Sequence, residues 1–159
     1  MEGKRESSID RVRNALMALG SPCQVVTLPT STRTAADAAL AIGCEVAQIA
    51  KSIIFRGKHS GQPVLVIASG CNRVDEARIA RELGEPILKA SADFVREHTG
   101  FAIGGVAPVG YASAITVLID EDLFKFDAVY ASAGGPESVF RTSATELQRM
   151  THGKSCLIC

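Results

Sequence analysis

The chain has 159 residues, of which 47% are hydrophobic and 21% are charged, the balance of an ordinary globular domain. Lysine plus arginine and aspartate plus glutamate number 17 each, so the chain lacks the basic surplus of a protein that covers a long stretch of nucleic acid. No apolar run approaches the roughly 18 residues of a membrane span, and the N-terminus MEGKRESSID lacks the apolar core of a signal peptide. We therefore expect one cytoplasmic domain over residues 1–159, without membrane association, whose ends at about 1–6 and 153–159 are frayed.

Cap residues and apolar patterns predict helices and strands along the whole chain. Polar residues in N-cap positions, each followed by an amphipathic run, predict helices after Ser7, Thr34, Asn72, Ser91 and Ser143. Apolar and β-branched runs predict strands over residues 24–28, 51–55, 63–69, 114–119, 128–133 and 138–141. Because turns or short links join most consecutive strands, we expect a mixed α/β (α+β) fold with a largely antiparallel mixed sheet surrounded by helices.

The cysteines do not form a recognisable framework. Their number, five, is odd, which argues against a set of disulfides. Cys156 and Cys159 form a C-x-x-C pair, but no second pair completes a zinc site. The C-terminal CLIC also matches the loose prenylation pattern C-a-a-X. We interpret this segment as an inert tail, and we expect neither a metal nor a cofactor.

The usual catalytic motifs are missing from the sequence. There is no G-x-x-x-x-G-K-[ST], no G-x-S-x-G and no H-E-x-x-H. His59, His98 and His152 fall in a turn and at two helix ends, where histidine usually caps a helix or faces solvent. Catalysis by a nucleophile and an adjacent base therefore has no candidate residues.

Two features remain as candidates for a functional site. Lys51 begins an apolar strand, where its side chain either reaches the surface or points into a cleft. The stretch TGFAIGGVAPVG, residues 99–110, contains Gly104 and Gly105 close before Pro108. Such a loop can bring backbone N–H groups close to an oxyanion. A hairpin turn that follows a strand over residues 101–103 is the alternative.

Five segments together resemble the YbaK/prolyl-tRNA-synthetase-associated domain family. They are residues 34–39, 48–52, 64–70, 99–110 and 132–140. The family contains freestanding trans-editing proteins and the editing insertion domain of bacterial prolyl-tRNA synthetase, which hydrolyse aminoacyl esters of mischarged tRNA. The resemblance covers most of the chain and implies the family's fold, with a curved mixed sheet surrounded by helices.

The resemblance also implies which residues form the site. The lysine that matches Lys51 is essential in the family, and the G-x-x-x-P loop, here Gly104 to Pro108, lines the substrate site. We therefore expect Lys51 and the backbone of Gly105 to act in catalysis. The expected substrate-binding residues are Thr34, Gly104, Val106, Ala107, Pro108, Ser132, Gly134 and Gly135. The family relies on positioning, on backbone groups and on the substrate's own groups, which agrees with the missing nucleophile.

The implied substrate is the acceptor end of a tRNA that carries a small amino acid such as Ala, Ser, Thr or Cys. Val139 and Phe140 stand where cysteine-specific members have a polar or acidic residue. The sequence therefore does not identify which of these amino acids the substrate tRNA carries. The implied partner is a synthetase or elongation factor that supplies tRNA affinity, and the protein is expected to be a monomer or a weak homodimer. The alternatives are a non-catalytic tRNA- or synthetase-binding module, and a small-molecule esterase or nucleotide-binding protein.

Overall fold

The computed structural model describes residues 7–30 and 32–159. Over these residues, eight strands form a single mixed sheet. They are β1 (Val25–Thr27), β2 (Ile49–Gly57), β3 (Pro63–Ser69), β4 (Ile87–Lys89), β5 (Thr116–Asp120), β6 (Val129–Gly135), β7 (Ser138–Thr142) and β8 (Lys154–Cys156). Their order is β1-β7-β6-β2-β3-β5-β8, and β4 pairs with β2. Four pairings are antiparallel and three are parallel, which confirms the predicted mixed, largely antiparallel sheet.

Five α-helices pack around this sheet in the described residues. They are α1 (Ser8–Ala18), α2 (Ala35–Ile42), α3 (Glu76–Leu83), α4 (Ala92–Thr99) and α5 (Ala144–Thr151). Four predicted N-caps are confirmed, because each side-chain oxygen accepts a hydrogen bond from the backbone N–H three residues further on. These caps are Ser7, Thr34, Ser91 and Ser143. Within the described part of the chain, no helix has the length and apolar character needed to cross a membrane.

The prediction that Asn72 caps the third helix is wrong. Asp75 caps α3, and the Asn72 side-chain amide donates instead to Asp120 at 2.8 Å and to Asp122 at 2.7 Å. The Asp120 carboxylate is only 1% exposed and also accepts the backbone N–H of Ser69 at 3.0 Å. A buried carboxylate needs such partners, so Asn72 serves to join the ends of β3 and β5.

The central strand β3 separates two apolar clusters. All seven of its residues are buried, as its continuous apolar run predicts. Leu65 and Ile67 belong to the larger cluster, which includes residues of α1, α4 and α5. Val64 and Val66 belong to the smaller cluster, which includes Ile79 of α3. The sheet is therefore covered by helices on both faces.

The C-terminal segment is part of the sheet, so the prediction of a frayed end at 153–159 is wrong. β8 pairs in parallel with β5, and Ile158 is fully buried in the cluster beneath α3. Cys156 is only 5% exposed, and burial raises the pKa of its thiol to about 11. At neutral pH this thiol is therefore protonated, and it is enclosed in the fold rather than displayed on a free tail. The other expected frayed end, at 1–6, lies outside the described residues.

Candidate active site

A cleft opens where β2 and β6 separate. The two strands pair in parallel at only two positions, of which Ala50 with Ala131 is the last. On the same edge, β2 pairs with β4 only from Phe55 onwards. A cleft of about 570 Å³ lies at this gap, between α2, the turn from β6 to β7, and the loop before β5. Its volume is that of an ordinary small-molecule site.

Lys51 lies directly beyond the short β2–β6 ladder and lines the cleft. Its side chain is half-buried and forms no ion pair with a carboxylate of the described residues. Arg33 lines the same cleft, whereas no aspartate or glutamate of the described residues does. The cleft is therefore cationic, and its field favours an anionic ligand.

The loop between α4 and β5 forms one wall of the cleft. Phe101, Ala107 and Val109 are buried and anchor the loop in the larger apolar cluster. Gly104, at its exposed tip, has a φ of +83°, a conformation that favours glycine. No strand forms over residues 101–103 in this part of the described chain, so the hairpin alternative is wrong.

The amide of Gly105 is used within this loop. Its N–H donates to the carbonyl oxygen of Ala102 at 2.9 Å, and Gly105 does not line the cleft. The structure therefore does not support Gly105 as the oxyanion donor. Gly104 and Val106 do line the cleft, and their backbone N–H groups donate to no acceptor among residues 7–30 and 32–159.

Six of the expected site residues come together around the cleft. These are Thr34, Lys51, Gly104, Val106, Ser132 and Gly135. Two of their hydroxyls already have local roles. The Thr34 Oγ1 caps α2, and the Ser132 Oγ accepts the Gly134 N–H at 3.2 Å.

Three other expected residues lie outside the cleft lining. Ala107 and Pro108 are buried at the base of the loop and support its wall from behind. Gly134 has a φ of +98°, and a Cβ atom there would lie 2.9 Å from the carbonyl oxygen of Ser8 in α1. Its contribution is therefore to let the turn pack against α1 rather than to contact a ligand.

Sequence reasoning missed Arg33 and two serines of the cleft. Ser52 and Ser138 line it, and their side-chain oxygens are buried without a hydrogen-bond partner among the described residues. Ser138 is only 1% exposed. A buried hydroxyl without a partner costs about 1–3 kcal/mol, so these two serines are unsatisfied polar groups in the wall of the cleft. The signal for Ser52 was its position inside the otherwise apolar run after Lys51.

The segment that carries Arg33 is fixed to the opposite side of the cleft. The backbone N–H and the hydroxyl of Thr32 donate to the carbonyl oxygen of Pro136 at 2.9 and 2.8 Å. The backbone N–H of Leu28 donates to the backbone carbonyl oxygen of Glu137 at 2.6 Å. These bonds hold the start of α2 against the β6–β7 turn.

Gly70 closes the floor of the cleft and provides a test of its packing. A Cβ atom there would overlap the Val46 carbonyl oxygen and lie 2.9 Å from the Ala35 Cβ. We expect Gly70→Ala to lower the free energy of unfolding by about 1–3 kcal/mol, because the backbone must shift. Urea denaturation measures this change. The control is Gly135→Ala, whose Cβ would meet no atom within 4 Å, and equal stability of the two variants would contradict this packing.

The described residues contain no cluster of side chains suited to bind a metal ion. In the parts of the chain that the structure describes, no group of three or more His, Cys, Asp or Glu residues is placed to hold a metal ion. What the cleft offers is a lysine, an arginine, hydroxyls and backbone N–H groups. These groups suit the binding of an anionic ligand by charge, positioning and hydrogen bonding.

The chain belongs to the aminoacyl-tRNA editing domain family, whose sequence model matches residues 30–150. This match confirms the resemblance to the YbaK/prolyl-tRNA-synthetase-associated domain family. The structure agrees, because the chain superposes on a solved protein described as a proposed trans-editing enzyme for prolyl-tRNA synthetase. The TM-score is 0.90 at 41% identity, over 99% of this chain and 98% of that one.

Two sequence relatives extend the comparison. The uncharacterised protein YwhH of Bacillus subtilis (strain 168) is 31% identical over 92% of this chain and 93% of its own length. The proline–tRNA ligase of Limosilactobacillus fermentum is 35% identical over 57% of this chain, which is 16% of the ligase. The chain therefore resembles one part of that ligase and nearly all of YwhH.

Proposed function

We propose that this protein is a trans-editing aminoacyl-tRNA deacylase, which hydrolyses the ester between a mischarged tRNA and a small amino acid such as Ala, Ser, Thr or Cys. The observation that carries this proposal is the position of Lys51. Its side chain has no carboxylate partner among the described residues and lies in a cationic cleft, together with the Gly104–Val106 backbone. Membership of the editing-domain family supports an aminoacyl-tRNA substrate.

The chemistry proposed is direct hydrolysis without a protein nucleophile. The terminal adenosine enters the cleft, and Lys51 binds a phosphate or ribose oxygen through a charge-assisted hydrogen bond. A water molecule attacks the ester carbonyl, and the N–H groups of Gly104 and Val106 stabilise the developing oxyanion. One such donor is worth about 3 kcal/mol. The bond from the carbonyl carbon to the ribose oxygen then breaks, the ribose oxygen takes a proton, and the free amino acid leaves.

The neutral net charge bears on how the tRNA is bound. With equal numbers of acidic and basic residues, the chain has no general attraction for the long tRNA backbone. The two cations that line the cleft in the described part of the chain, Lys51 and Arg33, suit the few phosphates of the acceptor end. A synthetase or elongation factor that presents the charged tRNA in the cytoplasm would supply the remaining affinity.

The test is a deacylation panel with tRNAs charged with Ala, Ser, Thr, Cys and Pro. We expect the wild-type protein to release at least one of the small amino acids faster than spontaneous hydrolysis. Binding of charged tRNA without release across the panel would favour a binding module. Equal activity on simple aminoacyl esters, independent of the tRNA, would favour a small-molecule esterase.

A further inference from the structure

One arginine outside the cleft holds together both ends of the cleft loop. The guanidinium of Arg11, on α1, donates to the carbonyl oxygens of Thr99 at 2.7 Å, Gly100 at 2.9 Å and Gly110 at 2.9 Å. It also lies over the ring of Phe101, 4.7 Å from the ring centroid. One side chain therefore joins the start and the end of the loop that carries Gly104 and Val106.

The loop has few other polar restraints. Over residues 101–113, the backbone–backbone hydrogen bonds are those from Gly105 to Ala102 and from Ala112 to Thr99. The Thr99 and Ser113 hydroxyls add side-chain bonds near the two ends of the loop, with Phe101 and His98. Hydrogen bonds from a charged donor are about twice as strong as these neutral ones, and among the described residues Arg11 is the side chain that bonds both ends of the loop. Arg11 itself pairs with no carboxylate among the described residues, and its charge is directed at the loop carbonyls.

Arg11 lies very close to the backbone of the glycines at the two ends of the loop, Gly100 and Gly110. A Cβ atom on Gly100 would overlap the Arg11 guanidinium, and one on Gly110 would lie 3.2 Å from the Arg11 carbonyl oxygen. Both glycines have positive φ, at +77° and +83°. Glycine at these positions therefore allows α1 to pack directly against the loop backbone.

The same helix also fixes the opposite side of the cleft. Gly134, in the turn from β6 to β7, packs against the carbonyl oxygen of Ser8 at the first turn of α1. α1 thus contacts the cleft loop through Arg11 and the turn through Ser8. α1 is therefore a contact that the two cleft walls share.

We propose that Arg11 is a positioning residue, which sets the Gly104–Val106 backbone at the distance from Lys51 that ester hydrolysis requires. This inference rests on the proposed deacylase function. Arg11 itself touches no substrate, because its guanidinium is occupied by the loop carbonyls and does not line the cleft. Displacement of a reacting group by about 1 Å is enough to cost on the order of 100-fold in rate.

The experiment compares Arg11→Ala and Arg11→Lys with Arg13→Ala, a control on the same helix whose side chain forms an exposed ion pair with Asp10. We expect Arg11→Ala to lower kcat about 10- to 100-fold with little change in KM, because the binding group Lys51 is untouched. The kcat of Arg11→Lys should lie between those of the wild type and Arg11→Ala, since an ammonium cannot reach all three carbonyls at once. Methylguanidinium, well below denaturing concentration, should partly restore the activity of Arg11→Ala alone.

Amide hydrogen exchange separates a loop effect from general destabilisation. In Arg11→Ala we expect faster exchange at residues 101–113 and unchanged exchange in β3. Unchanged kcat, or a loss of activity that follows only the unfolded fraction and is not restored by methylguanidinium, would overturn the inference. Inactive wild-type protein would instead count against the proposed function, and the exchange measurement would still decide whether Arg11 holds the loop.

Discussion

Replacing Lys51 with alanine is expected to lower kcat/KM for ester hydrolysis by roughly 10²- to 10³-fold, the loss usually seen when one preorganised polar group is removed from an active site. The Lys51 side chain has no carboxylate partner in the described residues, so its charge is available to the ligand. For the same reason its removal breaks no ion pair, and the free energy of unfolding should change by less than about 0.5 kcal/mol. Single-turnover deacylation and urea denaturation measure the two quantities.

A matched control is available on the same hairpin. Lys58 follows β2 directly, is exposed and does not line the cleft, so Lys58→Ala should retain the wild-type rate. Lys51→Arg should recover only part of the activity, because a planar guanidinium places its donors differently from an ammonium. If Lys51→Ala kept the full rate on a substrate that the wild type hydrolyses, Lys51 would have no part in the reaction.

Truncation after Gly153 is expected to lower the free energy of unfolding by at least about 3 kcal/mol, a large share of the 5–15 kcal/mol typical of a domain. The truncation removes β8 and with it the buried side chains of Cys156 and Ile158. Deleting one large buried aliphatic side chain already costs about 2–5 kcal/mol. Thermal and urea denaturation of the shortened chain provide the measurement.

Point variants keep this test informative if the shortened chain does not fold. Ile158→Ala should lose about 2–5 kcal/mol, because Ile158 is fully buried. Leu157→Ala should lose much less, because the neighbouring Leu157 is 49% exposed. Equal losses in the two variants, or wild-type stability after truncation, would mean that the segment does not pack as the structure places it.

The parts of the fold that the sequence predicts well are those that local interactions determine. Ser7, Thr34 and Ser91 cap their helices through hydrogen bonds within one turn, so the cap pattern is enough to find them. β3 is recognisable because both of its faces are buried and its apolar run is uninterrupted. Lys51 is recognisable as a cation at the start of an apolar strand, and the family resemblance implies its role in the site.

The parts that were missed depend on contacts between distant segments. β4, over Ile87–Lys89, and β8 are three residues long and exist because β2 and β5 offer an edge to pair with. Asn72 has the residue type of a helix cap, but a buried carboxylate competes for its side chain. Likewise, nothing in the glycine pair indicates that the Gly105 N–H is taken by Ala102 or that Arg11 holds the loop.

The pairing of β1 with β7 has a consequence for synthesis on the ribosome. Val25 lies opposite Phe140, and the cleft needs β2 from the first half of the chain and β6 from the second. At about 5–20 residues per second, translation leaves β1 without its neighbour for on the order of 10 s. During that time its N–H and C=O groups and the apolar face of α1 are open to chaperones or to other nascent chains. The site forms only when the last of its walls has emerged from the exit tunnel.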